Sequence, residues 1–245
     1  MVACAARELA DGDVVFVGMR LPLLAFALAK ATHAPAALGL FENGVMRDTA
    51  PRGRTVTMSD PANLDGALWT GPMRTVMALL GAGRVDAGFL GGAQIDRHAN
   101  LNTTRIGTAP AVRLPGSGGG CDIASAARRL LVVMAHEPRR FVERVDHLTS
   151  PGYGDGPGWR ERVGLPACAS VTLITTRAVF RATEATGAFG LVSLHPGETL
   201  PGVVAATAWA WPEASGAAVA ETEQPGADTL SALRSLDPDQ VWTSD

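Results

Sequence analysis

The chain has 245 residues, 47% of them hydrophobic and 18% charged, and its 21 Lys and Arg against 24 Asp and Glu leave a formal charge of −3. That length accommodates one large α/β domain with a sizeable core. The acidic balance argues against a nucleic-acid or anionic-membrane partner, because no basic excess exists to displace counterions.

Apolar periodicity divides the chain into short helices and strands. Residues 5–10 read as a helix, 13–18 as a buried strand, 21–31 as an Ala- and Leu-rich helix, and 36–41 as a second strand closed by the turn signal Asn43-Gly44. Helix, strand, helix, strand within about 40 residues is the signature of a parallel sheet built by crossovers. A polar loop follows at 47–65, then a helix at 73–80 and a buried strand at 85–90. Residues 94–107 form a polar hairpin or an excursion over the strand ends, and a glycine loop at 114–120 leads into a helix at 123–129. Strands are expected at 130–134 and 171–175, with a weaker one at 141–145. Seven Gly or Pro residues make 149–164 a long loop, 212–226 is a small, acidic segment expected to be mobile, and 228–236 is a closing helix. Without an internal repeat or a composition shift, residues 1–245 read as a single α/β domain.

Two runs carry chemistry. Phe41-Glu42-Asn43-Gly44-Val45 places a carboxylate at the end of an apolar strand, beyond the carboxyl edge of the sheet where open α/β folds place ligands. Leu114-Pro115-Gly116-Ser117-Gly118-Gly119-Gly120 presents backbone N–H groups that no Cβ shields. A carboxylate nucleophile and donors for an oxyanion are what acyl transfer through an enzyme carboxylate needs. The loop matches neither a P-loop, lacking Gly-Lys-Ser/Thr, nor a dinucleotide fingerprint. Ser117 is not in a Gly-x-Ser-x-Gly elbow. The stretch Gln94-Ile95-Asp96-Arg97-His98-Ala99-Asn100-Leu101-Asn102-Thr103-Thr104 is dense in side-chain donors and acceptors, which suits holding loops together or contacting substrate.

The five histidines form no i,i+4 pair and have no cysteine partner, so no metal site is expected. Cys4, Cys121 and Cys168 lie far apart and read as buried thiols in a reducing compartment. Trp209 and Trp211 read as packing or interface residues. The longest apolar segment, 21–29, is too short to span a bilayer, and no basic stretch with an apolar core opens the chain, so a cytoplasmic protein is expected.

Taken in order, these runs resemble the β subunit of a family I coenzyme A transferase, most closely the glutaconate CoA-transferase type. In that family a strand ends in Glu-Asn-Gly, here Glu42-Asn43-Gly44. Gly91-Gly92-Ala93-Gln94-Ile95-Asp96 through Asn100-Leu101-Asn102 resembles its "GAxQVD…GNLN" segment, and Pro115 to Ile123 resembles its "GxGGAxDI" loop. Leu194-His195-Pro196-Gly197 resembles a segment near the family's C-terminus, so the likeness runs over roughly residues 10 to 200. Four departures stand out: Leu40-Phe41 replaces His/Gln-Ser, Arg47 replaces a small residue, Ala99 replaces a glycine, and Thr176 replaces a frequent Asp.

The resemblance implies a three-layer, open, mostly parallel sheet with helices on both faces, the CoA-transferase (NagB-RpiA-like) fold. It implies Glu42 as the nucleophile, an oxyanion held by the amides of Gly118 or Gly119, and substrate or coenzyme A contacts from Asn43, Gly44, Gly116, Ser117, Gly120, Gln94, Asn100 and Asn102. Coenzyme A enters as a cosubstrate and no permanent cofactor is implied. A separately encoded α subunit would complete the enzyme as αβ or α2β2. A thioester hydrolase or a carbon–carbon lyase (decarboxylase) on the same scaffold is the alternative.

Overall fold

A computed structural model describes residues 1–51, 55–209 and 219–243; the expectations for Trp211 and for the first part of the segment 212–226 lie outside the described residues. The chain begins with α1 (Val2–Arg7), β1 (Val14–Phe16), α2 (Leu21–Thr32), β2 (Leu38–Phe41), β3 (Val45–Arg47), α3 (Pro61–Leu64), β4 (Trp69–Thr70), α4 (Met73–Gly81) and β5 (Ala87–Leu90). It continues through β6 (Gln94–Ile95), β7 (Leu101–Asn102), β8 (Arg105–Ile106), β9 (Val112–Arg113), α5 (Gly120–Ala126), β10 (Arg129–Met134), α6 (Trp159–Arg162), β11 (Ser170–Thr175), β12 (Ala178–Thr183), β13 (Gly190–Leu194), α7 (Leu200–Ala205) and β14 (Ala220–Glu221), and closes with α8 (Ala227–Leu236). Two compact units emerge, one of residues 1–89 and 225–245, the other of residues 90–224.

In the first unit β1 runs parallel to both β2 and β5, with Val15 opposite Gly39 and Ala87. These strands read as unbroken apolar runs because both their faces are buried. α2 starts on Leu21-Pro22, where proline's fixed φ suits the first turn, and buries seven consecutive residues from Leu23 to Ala29. Gly39 makes room for it: a Cβ there would lie 2.8 Å from Cζ of Phe26. Lys30, the only lysine, donates to the carbonyls of Pro35 and Ala37 and so closes the return from α2 into β2. β3 and β4 add to β2 antiparallel, and α8 packs against α2.

In the second unit β10 and β11 pair in parallel over six residues, Arg129 opposite Ser170 through Met134 opposite Thr175. β12 and β13 extend this pair antiparallel, and β14 lies parallel to β13. Two small hairpins, β6–β7 and β8–β9, stand apart. Each unit thus shows the expected α/β architecture, a parallel pairing (β2–β1–β5 in the first, β10–β11 in the second) extended by antiparallel strands.

Local differences from the sequence reading have physical causes. α5 stops at Ala126 rather than 129, because Ala127 turns extended (ψ 143°) and Arg129 is the first paired residue of β10. Residues 141–145 make no strand; Phe141 forms one bridge to Ile95 and is otherwise a fully buried aromatic plug. The expected loops 47–65 and 149–164 contain α3 and α6, and 47 itself ends β3. β12 and β13 lack a clear periodic signal in the sequence because Arg181, Thr183 and Ser193 interrupt their apolar pattern. Among the described residues no helix is long and apolar enough to cross a membrane.

His136, just past β10, lies flat on Phe141 with ring centroids 3.9 Å apart, and its nitrogens meet the hydroxyls of Thr175 (3.2 Å) and Thr207 (3.0 Å). Burial, aided by the positive charge of Arg177, lowers its pKa to about 4. The unfolded chain takes up this proton below about pH 6.5, whereas the folded state resists until about pH 4. His136 therefore withdraws stability as pH falls between those values, by about 3 kcal/mol in full. Asp96 acts oppositely, since burial raises its carboxyl. Denaturant titrations of wild type and His136→Gln from pH 7 to 4 check this. The stability advantage of wild type over the variant should shrink by about that amount, and a constant difference contradicts it.

Candidate functional site

β2 and β3 form a hairpin in which Phe41 pairs with Val45, leaving Glu42, Asn43 and Gly44 as the turn. Phe41 and Val45 are both buried and anchor its two legs. The amide of Gly44 donates to Phe41 O (2.9 Å), and Gly44 holds φ +94°, a left-handed conformation that glycine adopts without strain. A Cβ at position 44 would fall 1.9 Å from Gly71 O, while the Gly71 amide donates to Gly44 O at 2.9 Å. Gly71 is equally constrained, for a Cβ on it would meet the Trp69 indole at 2.2 Å.

Asn43 donates to Met58 O (2.7 Å), the same carbonyl that Asn63 reaches at 2.7 Å. The buried guanidinium of Arg47 donates to the carbonyls of Thr49 (3.0 Å), Asn63 (2.6 Å) and Asp65 (2.8 Å). A small residue at 47 would leave this following segment untied. Glu42 is half-buried at the carboxyl end of a parallel strand, and among the described residues its carboxylate has no hydrogen-bond or ion-pair partner.

The glycine loop belongs to the second unit. Its entry is tied to the segment after β7, with Leu114 N donating to Thr104 O (2.9 Å) and Gly116 N to Thr103 O (2.8 Å). Its exit is the start of α5, where Gly120 N donates to Ser117 O (2.8 Å) and Ile123 N to Gly119 O (2.9 Å). Gly116 (φ +99°) and Gly118 (φ +49°) supply the reversals between. Among the described residues the amides of Ser117, Gly118 and Gly119 have no acceptor. Three successive N–H groups without partners suit a concave anion cradle.

Gln94, Asn100 and Asn102 are each at most 5% exposed, and the fold itself engages their amides. Asn102 donates to Gln94 Oε1 (2.7 Å), and Gln94 donates to Asp146 (3.0 Å). Asn100 donates to Asp96 (3.0 Å) and Gly154 O (2.8 Å) while its oxygen accepts from the amides of Gly152 and Gly154. Asp96 also accepts from the amides of His98 and Asn100, so Asp96 and His98 form a turn rather than a proton relay. Ala99, where the family pattern carries glycine, sits at φ +62°, which explains why glycine suits the position.

Cys168 is buried as expected and burial raises its thiol pKa, but Cys121 is exposed on the first turn of α5. Trp209 packs between Phe141 and Phe189. Among the described residues no group of three His, Cys, Asp or Glu could hold a metal ion. Gly71, Met58 and Asp146 partner the site residues without any signal in the sequence, since a glycine, a main-chain carbonyl or a lone carboxylate distant in sequence carries no local pattern.

The coenzyme A transferase family model matches residues 1–206. The chain is 37% identical over 240 residues to the B subunit of 3-oxoadipate CoA-transferase from Pseudomonas knackmussii, covering 97% of this chain and 91% of the relative. It is 34% identical over 248 residues to the B subunit of glutaconate CoA-transferase from Acidaminococcus fermentans, again 97% and 91%. The crystal structure of glutaconate CoA-transferase from that organism superposes with a TM-score of 0.90, covering 100% of this chain and 95% of the other at 31% identity. The decarboxylase AibA/AibB follows at TM-score 0.80 and 27% identity, covering 98% and 94%. The chain therefore belongs to the coenzyme A transferase family, as a β-type subunit. The resemblance read from its motifs is borne out over most of the chain.

Gly44→Ala should destabilise the protein by about 2–4 kcal/mol, because a positive φ and an overpacked Cβ add. Gly81→Ala, where a Cβ meets nothing within 4 Å, should be within about 1 kcal/mol of neutral. Urea denaturation of the two variants checks the contrast.

Proposed function

We propose that Glu42 is the covalent nucleophile of coenzyme A transfer between an acyl-CoA and a carboxylic acid. The observation that carries the reading is a half-buried carboxylate, without a partner among the described residues, on a turn pinned by the Gly44–Gly71 approach, in a chain of this family. A Glu42 oxygen attacks the acyl carbonyl of the thioester; the C–S bond breaks, giving an acyl–glutamyl anhydride and CoA thiolate. The thiolate attacks the glutamyl carbonyl carbon, forming glutamyl-CoA and releasing the first acid as its carboxylate. A second carboxylate then attacks glutamyl-CoA, and the thiolate returns to its acyl carbon, regenerating Glu42.

Each addition places negative charge on a carbonyl oxygen, and the amides of Gly118 and Gly119 are the donors proposed for it; a lost donor of this kind costs about 3–4 kcal/mol of barrier. Gly116, Ser117 and Gly120 line that loop, and Asn43 and Gly44 aim the carboxylate. Gln94, Asn100 and Asn102 support the loops from beneath, consistent with their burial and internal hydrogen bonds. The relatives, each named as the B subunit of its enzyme, support a second subunit as partner; our reading is that it is a separately encoded α subunit, in an αβ or α2β2 assembly that works in the cytoplasm.

Glu42→Gln, co-expressed with the α subunit, should lower kcat by about 10³-fold or more. Borohydride added after acyl-CoA should reduce the wild-type thioester to the alcohol at position 42, seen by peptide mass spectrometry. An unlabelled, fully active enzyme would refute the covalent route. The likeness to a decarboxylase makes carbon–carbon lyase chemistry the second reading, beside thioester hydrolysis on the same scaffold. Release of free thiol or carbon dioxide without an added acceptor acid would select it, whereas strict dependence on the acceptor selects transfer.

A further inference from the structure

Arg160, the second residue of α6, is 1% exposed, although its segment reads from sequence as loop. Each of its N–H groups has a carbonyl acceptor. Nε donates to Pro166 O (2.8 Å), Nη1 to Ala124 O (3.2 Å) and Gly152 O (3.0 Å), and Nη2 to Ala124 O (3.2 Å) and Ser125 O (2.8 Å). A guanidinium carries five such donors, so its capacity is filled by the main chain, with no carboxylate among these acceptors. Taking a cation out of water is costly without compensation. The compensation is local: Ala124 and Ser125 lie in the last turn of α5, whose carbonyl dipoles point their negative ends at the guanidinium.

We propose that Arg160 is the positioning residue of the glycine loop. α5 runs only from Gly120 to Ala126, a rod about 10 Å long, and the loop amides sit at its other end. A tilt of about 6° at the clamped end moves Gly118 and Gly119 by about 1 Å, a displacement that can cost about a hundredfold in rate. The same clamp holds Gly152 O, so it fixes α5 against the 149–152 segment. That segment also touches the loop directly: Ser150 Oγ lies 3.2 Å from where a Cβ on Gly120 would stand, and Thr149 Oγ1 accepts from Thr103 N (3.0 Å) beside the loop's entry. Both ends of the cradle are thereby referred to one buried cation. Lysine cannot substitute, because a single ammonium cannot reach four carbonyls spread over three chain segments. The inference rests on the reading of Gly118 and Gly119 as oxyanion donors.

The test uses the enzyme assembled with its α subunit, comparing wild type, Arg160→Lys and Arg160→Gln. Active sites are counted by the borohydride-trapped Glu42 thioester, and turnover is expressed per trapped site. The expected result is a loss of about tenfold or more in turnover per trapped site, with KM for acyl-CoA within about twofold and faster amide hydrogen exchange across residues 114–126. A merely structural role would lower the number of trapped sites and leave turnover per site unchanged, which overturns the proposal. So does failure of both variants to fold, since Arg160 would then serve global stability. If wild type itself traps no thioester, the reading of Glu42 fails first, and the proposal falls with it.

Discussion

The carbonyl of Gly71 occupies the place where any side chain at position 44 would stand, and the rest of the Glu42 turn depends on that contact. Because neither glycine carries a Cβ, the end of β4 comes within hydrogen-bond distance of the turn, and the reciprocal bond from Gly71 N to Gly44 O locks the approach. The carboxylate two residues earlier inherits the constraint. Phe41 and Val45 hold the legs in the core, Asn43 reaches across to Met58, and no rotation of the hairpin moves Glu42 without breaking one of these. A carboxylate held this way has little orientational freedom left to lose, which is how positioning would become rate in the proposed role of Glu42.

The second unit solves a related problem with polar side chains. A glycine loop keeps amides available only if something else denies them internal partners. Here the loop's entry is bonded to Thr103 and Thr104 and its exit to the first turn of α5, so the amides between are left without acceptors among the described residues. Gln94, Asn100 and Asn102 look like ligand-binding residues by type, yet each is buried and bonded to a neighbouring loop. Their amide groups do what a hydrophobic core cannot do for irregular backbone: they satisfy its N–H and C=O groups away from water.

Membership of the coenzyme A transferase family joins these arrangements to a chemistry. Transfer through a carboxylate needs no metal and no general base, because each step exchanges one anionic leaving group for another. What it demands is a fixed carboxylate and donors that meet charge as it forms, and these are the features on which the fold concentrates its close contacts. The departures from the family pattern become intelligible in the same terms. Arg47 fills its own space and ties down the 49–65 segment, and Ala99 tolerates a left-handed turn because Asp96 bonds the amides on either side.

The sequence by itself determined the alternation of helix and strand, the position of Glu42 at a strand end, and the glycine loop ahead of α5, because apolar periodicity and turn chemistry act over a few residues. Its ordered motifs also determined the family. Tertiary structure alone decided that Gly71 meets Gly44, that Asn100 holds the backbone of Gly152 and Gly154, and that an arginine in an apparent loop anchors α5. Each of these brings a group to main-chain atoms far away in sequence, and a backbone amide or carbonyl looks the same at every position until folding brings a partner to it. The short strands β4, β8 and β9 were hidden for a similar reason: two residues carry no period, and only pairing with a neighbour makes them strands.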